Sequence, residues 1–143
     1  MPFEERVLPE LRLVLQRLPQ IDLKRDLAMM RDFKLPPLPK SPDVRISSHT
    51  VEGPESGLLL KAYEPVNRPD GRLPAVYWIH GGGYVLGHPD GDDPLCERFV
   101  LDIGCVVCSI DYRLAPEHPY PAAIEDCYGG LIWVADHAEE LGI

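Results

Sequence analysis

Cationic side chains are scarce in the second half of this 143-residue chain: no lysine follows Lys61, and beyond residue 72 only Arg98 and Arg113 remain. Residues 1–72 carry 12 Lys+Arg against 11 Asp+Glu, whereas residues 73–143 carry 2 against 12, and the two halves together make the net charge of −9. So acidic a half is a poor phosphate binder, which argues against nucleic acid as a partner. Nowhere does the chain approach the roughly 18 consecutive apolar residues of a membrane span. Met1-Pro2-Phe3-Glu4-Glu5 lacks the basic-then-apolar order of a secretory signal, so the expected location is cytoplasmic. Cysteine occurs only four times. Cys105 and Cys108 fall three apart in a strand-like run and therefore point to opposite faces, which rules out a shared ion or a redox pair and predicts buried thiols. His49 falls in an early strand, His88 and His118 in loops, and His137 among acidic residues at a helix end; none has the spacing of a triad or a zinc site. Neither metal nor cofactor is expected.

What the chain does have is a composition suited to about one globular domain, 45% hydrophobic and 26% charged. One stretch organises it. The apolar, β-branched and aromatic run Ala75-Val76-Tyr77-Trp78-Ile79 follows Pro74 and stops at His80-Gly81-Gly82-Gly83-Tyr84, the pattern of a buried strand ending in an abrupt loop. Backbone without Cβ atoms can approach a ligand closely, and converging N–H groups make an anion site, including one for an anion that exists only in a transition state. The plain alternative is a tight turn without chemistry. A dinucleotide fingerprint fails on spacing, because from Gly81 and Gly83 the third glycine arrives one residue late at Gly87, and a phosphate P-loop fails for want of a lysine.

Read in order, Val7, Leu8, Leu11, Val14, Leu15 and Leu18 predict an amphipathic helix in which Pro9 is tolerable only in the first turn. A second helix is expected from Asp22 as N-cap through Leu23, Leu27 and Met30. Prolines 36, 37, 39 and 42 make a stiff connector, so residues 1–40 read as a helical segment with a proline-rich linker and 41–143 as an α/β core. Residues 44–51 and 58–63 predict an antiparallel hairpin around a turn-rich 52–57. After the glycine loop, Asp92 or Asp93 is expected to cap a helix through Cys96, Phe99 and Val100 that Gly104 ends. Residues 105–110 read as a parallel strand covered on both faces, and 111–121 as a proline-punctuated loop. From Ala122, the residues Ile124, Cys127, Leu131, Val134, Ala138 and Leu141 predict a last helix lying against the sheet, with Gly142 as its C-terminal cap. Strand, helix, strand, helix in succession implies an α/β fold with a mixed sheet.

The stretch HGGGYVLG, together with Asp111-Tyr112-Arg113-Leu114-Ala115-Pro116-Glu117-His118, Pro121-Ala122-Ala123 and Asp126, resembles the hormone-sensitive-lipase-like branch of the α/β-hydrolases, from about Val44 to the last residue. That resemblance implies the N-terminal half of an α/β-hydrolase fold, a mixed, mostly parallel sheet with flanking helices, preceded by a helical cap segment. It implies carboxylesterase or lipase chemistry through an acyl-serine, on small-molecule esters. Gly82 and Gly83 are then the oxyanion-hole donors and Gly81 shapes the turn. His80 anchors the loop, Tyr84 lines the pocket, and Asp111, Tyr112, Arg113, Pro116 and Glu117 form a structural motif.

The Gly-x-Ser-x-Gly elbow that carries the nucleophile in such enzymes is missing. Serine occurs at 41, 47, 48, 56 and 109, and in Gly53-Pro54-Glu55-Ser56-Gly57 it stands one place late, in a hairpin turn. The resemblance therefore covers a half that ends before the nucleophile, and the 143 residues alone are expected to be inactive. In the family's strand order the edge of Ala75–Ile79 then lacks its neighbour, which predicts an oligomer formed through the exposed sheet edge. A reading from another class remains open beside this one: like plant gibberellin receptors, the chain is a ligand-binding or protein-interaction module on a hydrolase scaffold. Its N-terminal helices serve either as a cap over a site or as a pair packed on the body or a partner.

Overall fold

The computed structural model describes residues 3–19, 21–33, 36, 38–52 and 57–143. The turn at 53–56 with Ser56, Pro37 of the connector and the first two residues lie outside them. The chain divides into two compact units, Met1–Asp32 and Phe33–Ile143.

The first unit is helical, as its periodicity predicts. A 3₁₀ turn, Phe3–Arg6, precedes α1 (Pro9–Arg17) and α2 (Leu23–Asp32). Pro9 opens α1, where its missing N–H has no intrahelical acceptor to lose. Asp22 caps α2: its Oδ1 accepts from the Lys24 N–H at 2.9 Å, and Asp26 Oδ2 accepts in return from the Asp22 N–H at 3.0 Å. Neither helix buries a residue, so Leu11, Val14 and Leu18 of the apolar stripe are exposed.

The second unit is a four-stranded mixed sheet in the order β1-β2-β4-β3. β1 (Val44–Val51) and β2 (Leu58–Pro65) form the expected antiparallel hairpin, with Val44 opposite Pro65 and Val51 opposite Leu58. β2 pairs antiparallel with β4 (Val106–Ile110), and β4 pairs parallel with β3 (Ala75–Ile79). A 3₁₀ turn, Pro89–Asp92, leads into α3 (Asp93–Ile103), and α4 (Ala122–Asp136) follows β4. The short α5 (Ala138–Leu141) ends the chain. All five residues of β4 are buried because helices cover both faces: Val107 packs with Cys96 and Val100 of α3, while Val106, Cys108 and Ile110 pack with Ala123, Cys127 and Val134 of α4. Cys105 and Cys108 fall in opposite clusters, and all four thiols are free and buried.

Three local expectations are corrected. Neither Asp92 nor Asp93 caps α3 with its side chain. Asp92 accepts from the Trp78 indole at 2.7 Å, and Asp93 takes the Tyr63 hydroxyl at 2.6 Å and the Lys61 ammonium, so tertiary donors win both carboxylates from the helix end. Gly104 does end the helix, at φ 73°. On α4, Cys127 and Val134 of the expected stripe are buried but Ile124 and Leu131 are exposed, and the contact line runs through Ala123, Asp126 and Gly130 in their place. Gly130 decides this, because a Cβ there would strike the Tyr77 hydroxyl and crowd Ile110, so the helix meets the sheet along its smallest residues. The helix also breaks at His137, and Gly142, at φ 68°, caps α5 rather than a continuous last helix.

Candidate active site

β3 delivers its C-terminal end to the glycine loop. Val76 and Trp78 face α3, while Tyr77 turns to α4 and donates from its hydroxyl to the Cys127 carbonyl at 2.8 Å. Beyond Ile79 the chain turns through positive φ at Gly82 (129°), Gly83 (61°) and Tyr84 (65°), and again at Gly87 (100°). The first two and the last fall on glycine, which has no Cβ to oppose that geometry. A non-glycine at Tyr84 is uncommon there. A side chain on Gly82 would collide with the Leu86 carbonyl, whereas one on Gly81 would meet open space.

The carbonyl of Gly82 accepts from the N–H groups of Val85 (3.2 Å) and Leu86 (3.0 Å), which folds the loop back on itself. Among the described residues no backbone hydrogen bond engages the Gly82 or Gly83 N–H. All three glycines and Tyr84 are exposed. The loop therefore presents consecutive amide donors on an immobilised turn, an arrangement suited to negative charge.

The segment after β4 does the immobilising. The Tyr112 hydroxyl donates to the His80 carbonyl at 2.8 Å, and the two rings stack with centroids 4.1 Å apart. The Ala115 N–H donates to the Tyr84 carbonyl at 2.9 Å. This segment is itself fixed to α4, since the buried Asp126 carboxylate takes the Arg113 N–H at 2.9 Å and two guanidinium bonds at 2.8 Å. Asp111 is half-buried, and that burial pushes its carboxyl above the ordinary range while the nearby His88 and His80 pull it back. Ala115-Pro116 is a cis peptide, and Glu117 lies in the same loop.

His80 is buried, with Nδ1 2.9 Å from the Gly81 carbonyl and Nε2 without a partner among the described residues. Its hold on the loop thus runs through its backbone carbonyl and ring stack at least as much as through its ring nitrogens. Underneath, Lys61 is buried on β2 and bridges Asp90 (2.8 Å) and Asp93, tying the chain that leaves the loop to the sheet. Burial works against the Lys61 charge, but hydrogen bonds to both carboxylates outweigh it and raise its proton affinity above that of an ordinary lysine. The Lys61 bond holds Asp90 below the usual carboxylate range.

Sequence reasoning missed Lys61, the Trp78–Asp92 bond and the part played by Gly87, against which His80 Nδ1 and the Gly81 carbonyl leave no room for a Cβ. The alternation of β2 offered a signal for Lys61, whose place between Leu60 and Ala62 puts it on the opposite face from them. Ser47 and His49, two apart on one face of β1, bring Oγ and Nε2 to 3.0 Å. The other side of that imidazole meets the Trp133 ring, at 5.3 Å between centroids, rather than a carboxylate. Among the described residues no group of His, Cys, Asp or Glu is arranged to hold a metal ion.

A family model for the alpha/beta hydrolase fold matches residues 76–143. The chain is 41% identical over 109 residues to Esterase LipI of Mycobacterium tuberculosis, a match covering 76% of this chain and 34% of that protein. It is 42% identical over 117 residues to Carboxylesterase NlhH of the same species, covering 80% and 36%. Among solved structures, an esterase from Pyrobaculum calidifontis superposes with a TM-score of 0.70 at 38% identity, over 96% of this chain and 45% of the other. A bacterial heroin esterase gives 0.71 at 31% identity, over 99% and 47%. The chain thus spans about a third of the length of these curated relatives. Its mixed sheet, taken with these matches, gives the chain part of an α/β-hydrolase fold, and its glycine loop with the Asp111–Glu117 segment that holds it resembles the hormone-sensitive-lipase-like branch of that fold.

Proposed function

We propose that this chain supplies the oxyanion-stabilising part of a carboxylic-ester hydrolase working through an acyl-serine, with a small-molecule ester as substrate and the cytoplasm as its compartment. Gly82 and Gly83 donate to the oxyanion of both tetrahedral intermediates, Gly81 shapes the turn, His80 anchors it and Tyr84 lines the pocket. The observation that carries this reading is the pair of unengaged Gly82 and Gly83 amides on a turn strapped down by Tyr112 and Ala115. Donors fixed before the reaction cost no reorganisation when charge develops, which is the source of oxyanion-hole catalysis. Four buried, free thiols suit a reducing compartment.

By itself the 143-residue chain has no serine-esterase turnover. Ser109 is buried in β4, Ser47 is bonded to His49, and no Gly-x-Ser-x-Gly exists. Intact mass after exposure to a fluorophosphonate, which labels activated serines, checks this: no adduct is expected, and a stoichiometric one overturns it. The positive claim is tested by a chimera in which residues 44–143 replace the matching part of a related esterase. Hydrolysis of a nitrophenyl ester is expected, with a loss of about 10²–10³ in kcat on Gly82→Ala. A chimera that folds and is inactive refutes the reading.

The outer edge of β3, last in the sheet order and carrying the exposed Ile79, pairs with no strand among the described residues and draws the isolated chain into oligomers. Sedimentation at rising concentration should show association, and a monomer throughout would refute it.

A further inference from the structure

His88 stands where the glycine loop rejoins the fold, and its Nδ1 has two contacts that exclude each other. Nδ1 accepts from the Asp90 N–H at 3.1 Å, capping the Pro89–Asp92 turn. The same nitrogen lies 3.4 Å from Asp90 Oδ2, and Nε2 lies 3.5 Å from Asp111 Oδ2 on the segment after β4. A bare Nδ1 can accept from the amide. A protonated one cannot, and must donate to the Asp90 carboxylate instead, while Nε2–H faces the Asp111 anion as part of a full ion pair. Histidine as a residue type changes between these states within the range from about pH 5 to 8.

The remaining charges around the ring are defined. Asp90 also takes Lys61 from β2, Asp93 of α3 shares that ammonium and meets Lys40 at 3.7 Å, Lys40 acts on Asp90 as well, and His80 acts on Asp111 from the start of the loop. The glycine loop has reason to respond. Gly87, the residue before His88, stands at φ 100° so near His80 Nδ1 and the Gly81 carbonyl that a Cβ there would strike both, which makes it the point where a shift of residue 88 would reach residues 80 and 81.

We propose that His88 is a positioning residue for the glycine loop: protonated, it bridges the Asp90 and Asp111 carboxylates and draws the loop's return onto the 111–116 segment, and neutral, it caps the 3₁₀ turn through Nδ1 and offers Asp111 only an uncharged Nε2–H. The direction of the Gly82 and Gly83 N–H groups is thereby set by a proton on a side chain that touches no reacting atom. The catalytic meaning of this coupling rests on the oxyanion-hole reading above; the coupling itself does not.

The test uses the labelled 143-residue chain. The ring signals of His80 and His88 and the amide shifts of Gly82, Gly83 and Gly87 are followed by NMR from pH 5 to 8. The expected result is that the three amides trace the His88 curve with its midpoint. His88→Gln, which keeps an acceptor for the Asp90 amide but takes no proton, should abolish the movement. Asp111→Asn should cut the Gly82 and Gly83 excursions at least threefold while the His88 ring still titrates. Amides that ignore His88, or that still move in His88→Gln, overturn the proposal. Should the variant misfold, the wild-type curves of the two rings decide by themselves which histidine the amides follow. The outcomes separate from those of the function: coupled amides beside an inactive chimera leave the positioning intact and remove the esterase reading, and an active chimera with uncoupled amides does the reverse.

Discussion

Replacing Arg113 by alanine should cost far more than its place in a loop suggests. Asp126 is fully buried at the side chain, and Arg113 is 15% exposed. Of three hydrogen bonds to the carboxylate, the substitution removes the two from the guanidinium and leaves the one from the residue 113 N–H. Hydrogen bonds to charged groups are each worth about 1.5–3 kcal/mol, which gives about 3–6 kcal/mol for the two. Stranding one member of a buried ion pair independently costs about 3–5 kcal/mol. The estimates meet at about 3–5 kcal/mol, a large part of the ~5–15 kcal/mol that holds a domain together. With a urea dependence of about 1–3 kcal/mol per molar for a small protein, the midpoint of unfolding should fall by about 2 M. The matched control is Arg98→Ala on α3, whose pair with Asp102 lies at the surface with side chains 77% and 62% exposed; solvent screening should hold its effect to about 0.5 kcal/mol or less. Should both variants lose similar, small amounts, the premise that burial rather than charge pairing sets the cost is wrong.

Two further outcomes follow from the same contacts. Gly87→Ala should destabilise by about 2 kcal/mol or more and displace the His80 ring signals, because it adds a Cβ against His80 and the Gly81 carbonyl where φ is 100°; an unchanged His80 environment and melting temperature would count against the packing described. Stability should form a plateau in pH. The raised Lys61 contributes below the unfolded lysine value of about 10.4 and loses that contribution as pH climbs through its higher folded value, and the lowered Asp90, with Glu64 of β2, lowered by its hydrogen bonds to Arg45 and Arg68, contributes above the unfolded carboxylate values of about 4 and loses it as pH falls. Urea midpoints taken from pH 3 to 11 check both limbs, and Lys61→Met should flatten the alkaline one; an alkaline limb unchanged by that substitution would show that Lys61 does not cause it.

Much of the second unit was legible because it is written in local signals. A β-branched run closed by Gly81-Gly82-Gly83 marks a strand and its abrupt exit, and the structure ends β3 at Ile79 as the run does. Gly104 and Pro9 mark helix ends for reasons internal to the backbone, and both stand where expected. The opposite placement of Cys105 and Cys108 needs only the two-residue period of a strand. Asp92 and Asp93 failed as caps because a carboxylate at a helix start serves equally well as a tertiary acceptor, and only the arrival of Trp78, Tyr63 and Lys61 chose between the uses. The face of α4 held at Cys127 and Val134 and failed at Ile124 and Leu131 for a related reason. Large apolar residues at helical spacing record what can be buried, whereas the available space is set by the approach of Tyr77 and Ile110 to Gly130.

The sequence by itself determined the order of elements, the position and composition of the glycine loop, the family motif and the absence of an elbow serine, since each depends on neighbours within a few residues. Only the tertiary structure decided how the loop is held. Tyr112 and Ala115 reach it from the far side of β4, Arg113 is locked by an aspartate on the following helix, and a buried lysine from β2 secures the chain beyond it. Those contacts join residues distant in the chain, and their strength comes from burial, which no local pattern of letters specifies.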